Sequence, residues 1–491
     1  MPREKDPVVE TPAGAVRGIR AEFGERYRSV PYAAAPTGAG RFAAPAPHPG
    51  WSGVRDGTRP SPTAPQPSRD FGRLDMVPYF GPGWVPGEEY LTVDVHTPGT
   101  GDGRRPVMVF VHGGGFVTGS NRAALYDGAA FARDGIVLVT VNYRLGIPGF
   151  LDLAGAPANR GLLDVLAALR WVRDTIAAFG GDPENVTVFG QSAGATLTGA
   201  LLAAPEAKGL FRRAVVQSGN GTGAFTPEQA QRVTATAATA LGVEPTAEAF
   251  ASIPDERFLA ILPALAGLDL RTGTATDPLA GLSPFSLVSP VQPADGLADG
   301  PGGDVDLLIG TNTEEGRLYL VPQGGLESTT EADLLAVATR AHADPEAALA
   351  AYRAARPDAP PGELRAAVLG QALFAAGTTR MAQAHARISG GRTYVYSFGH
   401  RSTALDGRLG AAHTVELPFV FDIADKPWLH GDARLLGPSP APAGLAAQVH
   451  GAWIAFARSG NPGRTSYAAQ RFTVERLTGS PARQGRRRCQ A

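Results

Sequence analysis

The sequence predicts an α/β protein with a mostly parallel, twisted central sheet that is flanked by helices. Short apolar runs, which are typical of buried strands, alternate along the chain with segments of helical periodicity. Two of these runs end in glycine-rich turns, at which a strand can bend sharply into the next element. The predicted strands are residues 107–111, 136–143, 185–190, 214–217, 306–311 and 393–398.

The segments between the strands include one packed helix and two insertions. From Arg160 to Phe179, apolar residues recur at helical spacing, which predicts a helix whose leucines lie in the core. Residues 225–300 and 325–390 are rich in alanine with proline and glycine breaks, and they predict helical insertions over the mouth of a site. We therefore expect a single domain over residues 8–462 and an atypical, disordered tail over residues 463–491.

Composition argues against several functional classes. The chain has 491 residues, of which 43% are hydrophobic, so it can bury a sizeable core. A net charge of −1 argues against a nucleic-acid partner bound through a basic surface. No apolar run is long enough to span a membrane, and the charged start leads into no secretory signal. The only cysteine, Cys489, allows no intramolecular disulfide, and we expect a cytoplasmic protein. The sequence leaves the oligomeric state open.

The strongest functional signal is a serine between two glycines at the end of a predicted strand. The run 185–190 stops at Gly190, and Ser192 follows within the pentapeptide Gly-Gln-Ser-Ala-Gly. Because glycine has no Cβ, the strand can turn abruptly into the helix predicted from Ala193, with the serine at the apex. This arrangement is typical of a nucleophilic serine.

A second glycine turn supplies candidates for an oxyanion hole. The run 107–111 continues into His-Gly-Gly-Gly-Phe, upstream of the serine. Attack on a carbonyl creates an oxyanion, and backbone N–H donors at glycines can approach it closely. We expect these donors to be Gly114 and Gly115, together with Ala193 after the nucleophile. The alternative is that residues 113–115 form only a flexible loop.

These motifs, with others in the same order, resemble the carboxylesterase type B family, which includes cholinesterases and bacterial para-nitrobenzyl-type esterases. The resemblance covers roughly residues 8 to 462. It implies the α/β-hydrolase fold, with helical insertions over an active-site gorge, and a serine esterase that needs neither a metal nor an organic cofactor. The implied partners are a small-molecule ester and water. The matching segments are residues 30–33, 41–42, 88–95, 141–146, 159–164, 179–183 and 211–219.

The resemblance also implies the acid and the base that complete the site with Ser192. The family's acid directly precedes a glycine, which favours Glu315 over its neighbour Glu314. The family's histidine loop is similar to the segment around His413, so this residue is the expected base. Glu315 would orient the imidazole, which would accept the serine proton. The other histidines after Glu315 are expected to be structural: His342, His385, His400, His430 and His450.

Two departures from the family pattern concern the site. Gln191 stands before the nucleophile where the family commonly has glutamate, and the loss of a carboxylate there is expected to tune rate and pH dependence. The family's disulfides are missing, so the loop from about Asp70 to Tyr90 is closed only by packing. Ser218 is expected to support the triad from a neighbouring strand, with simple packing as the alternative. Relatives also carry buried ion pairs at the positions of Arg41 with Glu88 and of Arg144 with Asp164.

The walls of the substrate pocket are expected to be aromatic. Phe116 follows the glycine turn, Tyr319 follows the predicted acid, and Phe285 lies in the first insertion. The loop after Asp70 is expected to form one wall, although packing of the loop itself is an equal alternative. Its aromatic residues are Phe71, Tyr79, Phe80 and Trp84.

The sequence thus predicts a serine hydrolase that cleaves carboxylic esters through an acyl-enzyme intermediate. The same triad could act on amides, carbamates or thioesters, because leaving-group preference depends on the pocket walls. The remaining alternative is a non-catalytic binding module on the same fold. Such a module is expected to have lost part of the triad, whereas this sequence retains Ser192, Glu315 and His413.

Overall fold

The computed structural model describes residues 6–101, 103–388, 390–463 and 472–477. Within these residues, ten strands form one large sheet and three short strands form a second sheet near the N-terminus. The strands are β1 (Val8–Thr11), β2 (Gly14–Arg17), β3 (Ile19–Ala21), β4 (Gly24–Pro31), β5 (Val54–Asp56), β6 (Thr92–Thr97), β7 (Arg105–Val111), β8 (Val137–Val141), β9 (Gly181–Gln191), β10 (Arg213–Gln217), β11 (Asp306–Asn312), β12 (Thr393–Phe398) and β13 (Phe472–Leu477).

The large sheet is mixed, with a parallel centre. Its strand order is β13-β12-β11-β10-β9-β7-β8-β6-β4-β3. From β12 to β8 every neighbouring pair is parallel, and these six strands coincide with the six that the sequence predicts. The antiparallel edges escape sequence prediction. Strands buried on both faces are continuous apolar runs, whereas the edge strands mix polar and apolar residues, so hydrophobicity marks only the centre.

Helices cover both faces of this sheet. The predicted helix from Arg160 to Phe179 is confirmed as α4 with a 3₁₀ turn at its end. In the described part of the chain, no helix has the length and apolar character that a membrane crossing requires. The helices are α1 (Val77–Phe80), α2 (Ala129–Arg133), α3 (Gly146–Phe150), α4 (Arg160–Thr175), α5 (Ala193–Leu202), α6 (Pro227–Leu241), α7 (Ala247–Ala251), α8 (Asp255–Ala260), α9 (Leu262–Leu265), α10 (Gly325–Ser328), α11 (Glu331–Ala341), α12 (Pro345–Ala355), α13 (Pro361–Gly370), α14 (Ala376–Arg387), α15 (Leu417–Val420) and α16 (Leu445–Ser459).

Alternation along the central strands builds a core on each face of the sheet. On β7, Val107 and Val109 belong to one core, while Met108 and Phe110 belong to the other. The first core includes apolar residues of α4 and α5, and the second includes those of α16. A third, smaller core is formed mainly by α11, α12 and α13, within the second predicted insertion.

The end of the chain departs from the prediction. β13 pairs antiparallel with β12, from Thr393 opposite Leu477 to Phe398 opposite Phe472. The expected disorder of residues 463–491 is therefore wrong for this segment, where Val474 is buried in the second core. A single short strand has little intrinsic signal, because its stability comes from the sheet edge that receives it. Cys489 lies outside the described residues.

Arg144 and Asp164 form the buried ion pair that the resemblance implies. Asp164 accepts hydrogen bonds from Arg144 Nη2 at 2.7 Å and from Arg144 Nε at 2.9 Å, and both side chains are 0% exposed. Arg144 Nη1 also donates to the Ala43 carbonyl at 2.7 Å. The pair therefore ties the N-terminal segment and the β8–α3 connection to α4.

The second expected pair is wrong, because Arg41 has a different partner. Its guanidinium pairs with Asp255 at the start of α8 and donates to the Ile253 carbonyl at 2.5 Å. Glu88 is exposed. Asp255 is 214 residues away in sequence, so only folding brings it to Arg41.

Removing the charge of Asp164 should strongly destabilise the protein. We expect Asp164→Asn to lower the free energy of unfolding by about 3–5 kcal/mol, because it leaves the buried Arg144 guanidinium uncompensated. Urea unfolding followed by circular dichroism measures this change. The matched control is Asp174→Asn, which breaks an exposed pair with Arg173 and should cost less than about 1 kcal/mol. Equal effects of the two substitutions would contradict the argument.

Candidate active site

Ser192 lies at a sharp turn between β9 and α5. Its φ of 58° and ψ of −124° are unfavourable for a residue with a Cβ. Two backbone hydrogen bonds of 2.9 Å hold the turn: Ser192 N–H donates to the Gln217 carbonyl, and Thr196 N–H donates to the Ser192 carbonyl. Ser192 therefore lies at the carboxyl end of the parallel strands, where it lines a cavity.

The glycines on either side of Ser192 are required by close packing. A Cβ on Gly190 would lie 2.4 Å from the Gly194 carbonyl oxygen, and a Cβ on Gly194 would lie 2.0 Å from the Val111 carbonyl oxygen. Both clashes are with backbone atoms, so a substitution would have to move the main chain. The Gly-Gln-Ser-Ala-Gly pattern thus follows from the close passage of α5 over the ends of β9 and β7.

Gly114, Gly115 and Ala193 line the same cavity as Ser192. Gly114 has a φ of +115° and Gly115 a φ of +65°, and a Cβ on Gly114 would lie 1.9 Å from the Thr118 carbonyl oxygen. The three backbone N–H groups have no hydrogen-bond acceptor among the described residues. Unpaired backbone donors next to a serine hydroxyl are suited to bind an anionic oxygen.

Side chains from distant parts of the chain hold this glycine loop in place. Gln66 accepts hydrogen bonds from Thr118 Oγ1 at 2.7 Å and from the Gly119 N–H at 2.8 Å. On the other side, Ser283 Oγ donates to the Gly115 carbonyl at 2.8 Å. The N-terminal segment and the first insertion segment therefore both fix the loop, which is not a flexible connection.

The carboxylate of Glu315 and the imidazole of His413 are hydrogen-bonded. Glu315 Oε2 accepts from His413 Nδ1 at 2.7 Å, and both side chains are buried. The other carboxylate oxygen, Oε1, accepts from Ser218 Oγ at 2.5 Å and from the Asn312 N–H at 2.7 Å. Because Glu315 occupies Nδ1 of the imidazole, Nε2 is the nitrogen left to exchange a proton. Ser218 thus contacts the acid of the candidate triad.

The competing residues have other contacts. Glu314 pairs with Arg317 at 3.1 Å and with Arg401, and it accepts from the Ala411 N–H at 2.9 Å. Among the six histidines after Glu315, only His413 lines the cavity. The remaining five lie elsewhere in the described structure: His342, His385, His400, His430 and His450.

Gln191 bridges His413 and a tyrosine of the loop that follows Asp70. The Gln191 amide nitrogen lies 3.3 Å from His413 Nε2, and the amide oxygen accepts from Tyr79 Oη at 2.6 Å. Burial raises the pKa of Tyr79 well above its usual range, so the phenol remains a donor. This donation directs the amide nitrogen toward the imidazole. A neutral side chain therefore stands where glutamate would bring a charge.

Phe374 packs against the flat face of the His413 ring. Their ring centroids lie 4.2 Å apart with 16° between the planes, and Tyr319 stacks at 6.1 Å and 29°. Phe374 lies in the π-helical turn Gln371–Ala375 between α13 and α14, and such turns are frequent at functional sites. No local sequence pattern identifies Phe374, because its position depends on how this turn packs over the sheet.

The remaining cavity walls are mostly apolar, and only part of the predicted set contributes to them. Phe71, Tyr79, Phe80, Phe116 and Tyr319 line the cavity, whereas Trp84 and Phe285 do not. Half of the lining is not predicted from the sequence, because no local pattern shows that these side chains face the cavity: Arg69, Thr196, Asn220, Leu279, Leu282, Ser283, Leu318, Leu373, Phe374 and Thr414.

Both wrong expectations have a structural reason. Phe285 is 1% exposed and packs in the first core, since Ser283 reaches the cavity two residues earlier. Trp84 follows α1, which ends at Phe80 and is capped by Gly81 with a φ of +81°. The chain turns there, and only the residues up to Phe80 contact the cavity. Aromatic character alone therefore does not place a residue in the pocket.

A second buried carboxyl group lies next to Glu315 and His413. Asn312 links the two carboxyl groups, because its N–H donates to Glu315 and its Nδ2 donates to Glu416 Oε2 at 2.7 Å. Burial, and secondly the nearby Glu315, raise the pKa of Glu416 to about 7, although His413 and Asn312 act in the opposite direction. Glu416 therefore changes its charge near neutral pH, beside the candidate triad.

The raised pKa of Glu416 makes stability depend on pH in a defined direction. The folded state holds a proton that the unfolded chain releases near pH 4.5, so the free energy of unfolding falls as pH rises from there to about 7. Glu416→Gln should remove this contribution, which amounts to about 3 kcal/mol over the window. Urea unfolding of wild type and variant, repeated about every half pH unit from about pH 4.5 to about pH 7.5, measures the difference in unfolding free energy. Parallel pH profiles would contradict the prediction, and the exposed Glu206→Gln serves as the control.

Comparisons with known proteins identify the family of this chain. The carboxylesterase family matches residues 5–477 of the chain. A phenmedipham hydrolase of Pseudarthrobacter oxydans is 36% identical over 464 residues, which are 93% of this chain and 90% of that protein. A para-nitrobenzyl esterase of Bacillus subtilis strain 168 is 34% identical over 467 residues, with the same coverage of 93% and 90%.

Solved structures of esterases have the same fold as this chain. The Geobacillus stearothermophilus carboxylesterase EST55 at pH 6.2 superposes with a TM-score of 0.79 at 35% identity, covering 96% of this chain and 94% of that chain. A PNB esterase structure superposes with a TM-score of 0.80 at 30% identity, covering 96% and 97%. The predicted α/β-hydrolase fold is therefore confirmed, and the chain belongs to the carboxylesterase family of carboxylic ester hydrolases.

Proposed function

We propose that this enzyme cleaves carboxylic esters through an acyl-enzyme intermediate on Ser192, with His413 as the base and Glu315 as its orienting acid. The observation that supports this proposal most is the 2.7 Å hydrogen bond between Glu315 and His413 at a cavity that Ser192 also lines. The unpaired N–H groups of Gly114, Gly115 and Ala193 border the same cavity and suit the oxyanion.

The reaction then follows in two halves. His413 Nε2 accepts the hydroxyl proton as Ser192 Oγ attacks the carbonyl carbon, and the electron pair of the carbonyl bond moves to its oxygen. When the tetrahedral intermediate collapses, the bond to the alcohol oxygen breaks, and the imidazolium returns the proton to it. Water, deprotonated by His413, attacks the acyl-enzyme in the same way and releases the carboxylic acid and the serine hydroxyl. Glu315 stabilises the imidazolium in both halves.

Whether the enzyme also cleaves bonds other than esters depends on the pocket walls. The relatives named phenmedipham hydrolase and para-nitrobenzyl esterase support hydrolysis of more than one kind of substrate on this scaffold. Turnover of matched ester, carbamate and anilide substrates with the same acyl group compares these bonds directly. A binding module without catalysis is disfavoured, since all three residues of the proposed triad are retained.

Loss of the serine hydroxyl tests the mechanism. Ser192→Ala should lower kcat for para-nitrophenyl butyrate by about 10⁴–10⁶ without altering the fold, because the covalent step is removed. Intact-mass measurement after treatment with an organophosphonate should find one adduct on the wild type and none on Ser192→Ala. As a control, Ser252→Ala removes an exposed hydroxyl outside the cavity lining and should still form the adduct. Full turnover by Ser192→Ala would overturn the mechanism.

Introducing the glutamate that is common in the family should shift the pH dependence. Gln191→Glu places a carboxylate near His413 Nε2, which stabilises the protonated imidazole that cannot act as a base. We expect the acidic limb of the kcat/KM profile for para-nitrophenyl acetate to move about one pH unit higher. Gln323→Glu adds the same charge at an exposed position and should leave the limb in place. An unchanged limb in Gln191→Glu would show that position 191 does not act on the base.

A further inference from the structure

Arg69 brings a guanidinium to the cavity wall without an anionic partner. The residue is half-buried and lines the cavity together with Ser192 and Gly115. Within the part of the chain that the structure describes, its side chain has neither a hydrogen-bond acceptor nor a paired carboxylate. A partly buried charge without a partner loses hydration that no protein group replaces, so this arrangement calls for an explanation.

Two fully buried arginines show how the same chain satisfies a guanidinium that serves the fold. Arg144 pairs with Asp164, as described above. Arg160 has no carboxylate partner, but backbone carbonyls take up its donors. The acceptors of Arg160 are the carbonyl oxygens of Ile147, Pro148, Leu151 and Pro157. Arg69, which is half-buried, has neither kind of contact among the described residues.

The surroundings of Arg69 do not neutralise its charge. The titratable groups that act on it electrostatically are the phenols of Tyr319 and Tyr79, and burial raises the pKa of both, so both are neutral. Burial also lowers the pKa of Arg69, yet a guanidinium stays protonated at any physiological pH. The cavity lining contains no Asp or Glu among the described residues. The cavity therefore carries an uncompensated positive charge.

This charge lies near the glycine loop. A Cβ on Gly115 would be 3.6 Å from Arg69 Nη2 and 3.8 Å from Arg69 Nη1. Gln66, three residues before Arg69, is hydrogen-bonded to Thr118 and Gly119 of the same loop, which fixes the backbone that carries the arginine. Both terminal nitrogens are thus close to the end of the cavity where the N–H donors of Gly114 and Gly115 lie.

From this arrangement we propose that the preferred substrates are esters that carry a carboxylate a few bonds from the scissile carbonyl, and that Arg69 binds this carboxylate. The inference rests on the proposed function, because that function places the scissile carbonyl at Ser192 and the glycine loop. A guanidinium has parallel N–H donors that match the two oxygens of a carboxylate. The apolar walls around the pair strengthen the attraction by excluding water.

Matched charged and neutral esters test this recognition. We would compare, by pH-stat, the monoethyl esters of succinic, glutaric, adipic and pimelic acids with the ethyl esters of monocarboxylic acids of equal chain length. A second series carries the carboxylate on the alcohol side, as acetate esters of ω-hydroxy acids. In one of the two series, and at one distance between the carboxylate and the ester group, kcat/KM of the wild type should be about 10–100-fold higher for the charged ester, as for a hydrogen-bonded charge pair.

Substitutions assign the preference to Arg69. Arg69→Gln should abolish the ratio of charged to neutral kcat/KM, and Arg69→Lys should retain part of it, because it keeps the charge without the planar fork. Because both esters are measured with the same preparation, a loss of active enzyme does not change this ratio. Arg73→Gln removes the same charge at an exposed position outside the cavity lining and should leave the ratio unchanged. No preference at any spacing, or an equal ratio in wild type and Arg69→Gln, would overturn the proposal.

A binding measurement separates this inference from the proposed mechanism. Calorimetric titration of Ser192→Ala with monoethyl adipate should give binding that is lost in Ser192→Ala/Arg69→Gln. Binding that depends on Arg69, in an enzyme that hydrolyses no ester, would reject the proposed function and support carboxylate recognition. Hydrolysis of neutral esters without any binding that depends on Arg69 would support the proposed function and reject the recognition.

Discussion

The site depends on burying the Glu315 carboxylate with all of its oxygens hydrogen-bonded. Its donors are His413 Nδ1, Ser218 Oγ and the Asn312 N–H, which belong to three separate segments. A buried carboxylate that lost these donors would be strongly destabilising, so the segments are held in register by the same contacts that orient the proposed base. The Ser218 N–H also donates to the Gly310 carbonyl at 2.8 Å, which couples the acid to the pairing of β10 with β11. The geometry of the proposed triad and the register of the sheet are therefore fixed by the same contacts.

The parallel centre of the sheet explains why distant residues meet. β7, β9, β10 and β11 all end at the same edge, and the glycine loop, Ser192, Ser218 and Glu315 follow these ends in turn. The chain is forced into rare backbone conformations where it leaves the strands: Ser192 has a φ of 58° and Ser218 a φ of 52°. Such strain persists only where surrounding contacts determine it, and the hydrogen bonds at both residues supply those contacts.

The features that could be predicted from the sequence are those that leave a local pattern. Continuous apolar runs identify the six parallel strands, and the glycines around Ser192 and at Gly114 mark places where a Cβ cannot fit. The edge strand β13, the pairing of Arg41 with Asp255 and the stacking of Phe374 on His413 depend on contacts between distant segments. Trp84 and Phe285 are expected in the pocket because they are aromatic, but neither lines the cavity. Residue type does not determine the direction in which a loop runs.

Gln191 and Arg69 both make the charge of the site more positive: Gln191 replaces the glutamate that is common in the family, and Arg69 adds a guanidinium. In the proposed mechanism, the tetrahedral intermediate combines an oxyanion at the glycine loop with an imidazolium at His413. A guanidinium beside Gly115 favours the oxyanion, whereas the neutral amide of Gln191 gives the imidazolium no electrostatic support from that side. Glu315 remains to balance the imidazolium, joined by Glu416 only above its pKa of about 7. The cavity wall itself is left with a positive charge, and a substrate that carries its own carboxylate supplies the anion that the walls lack.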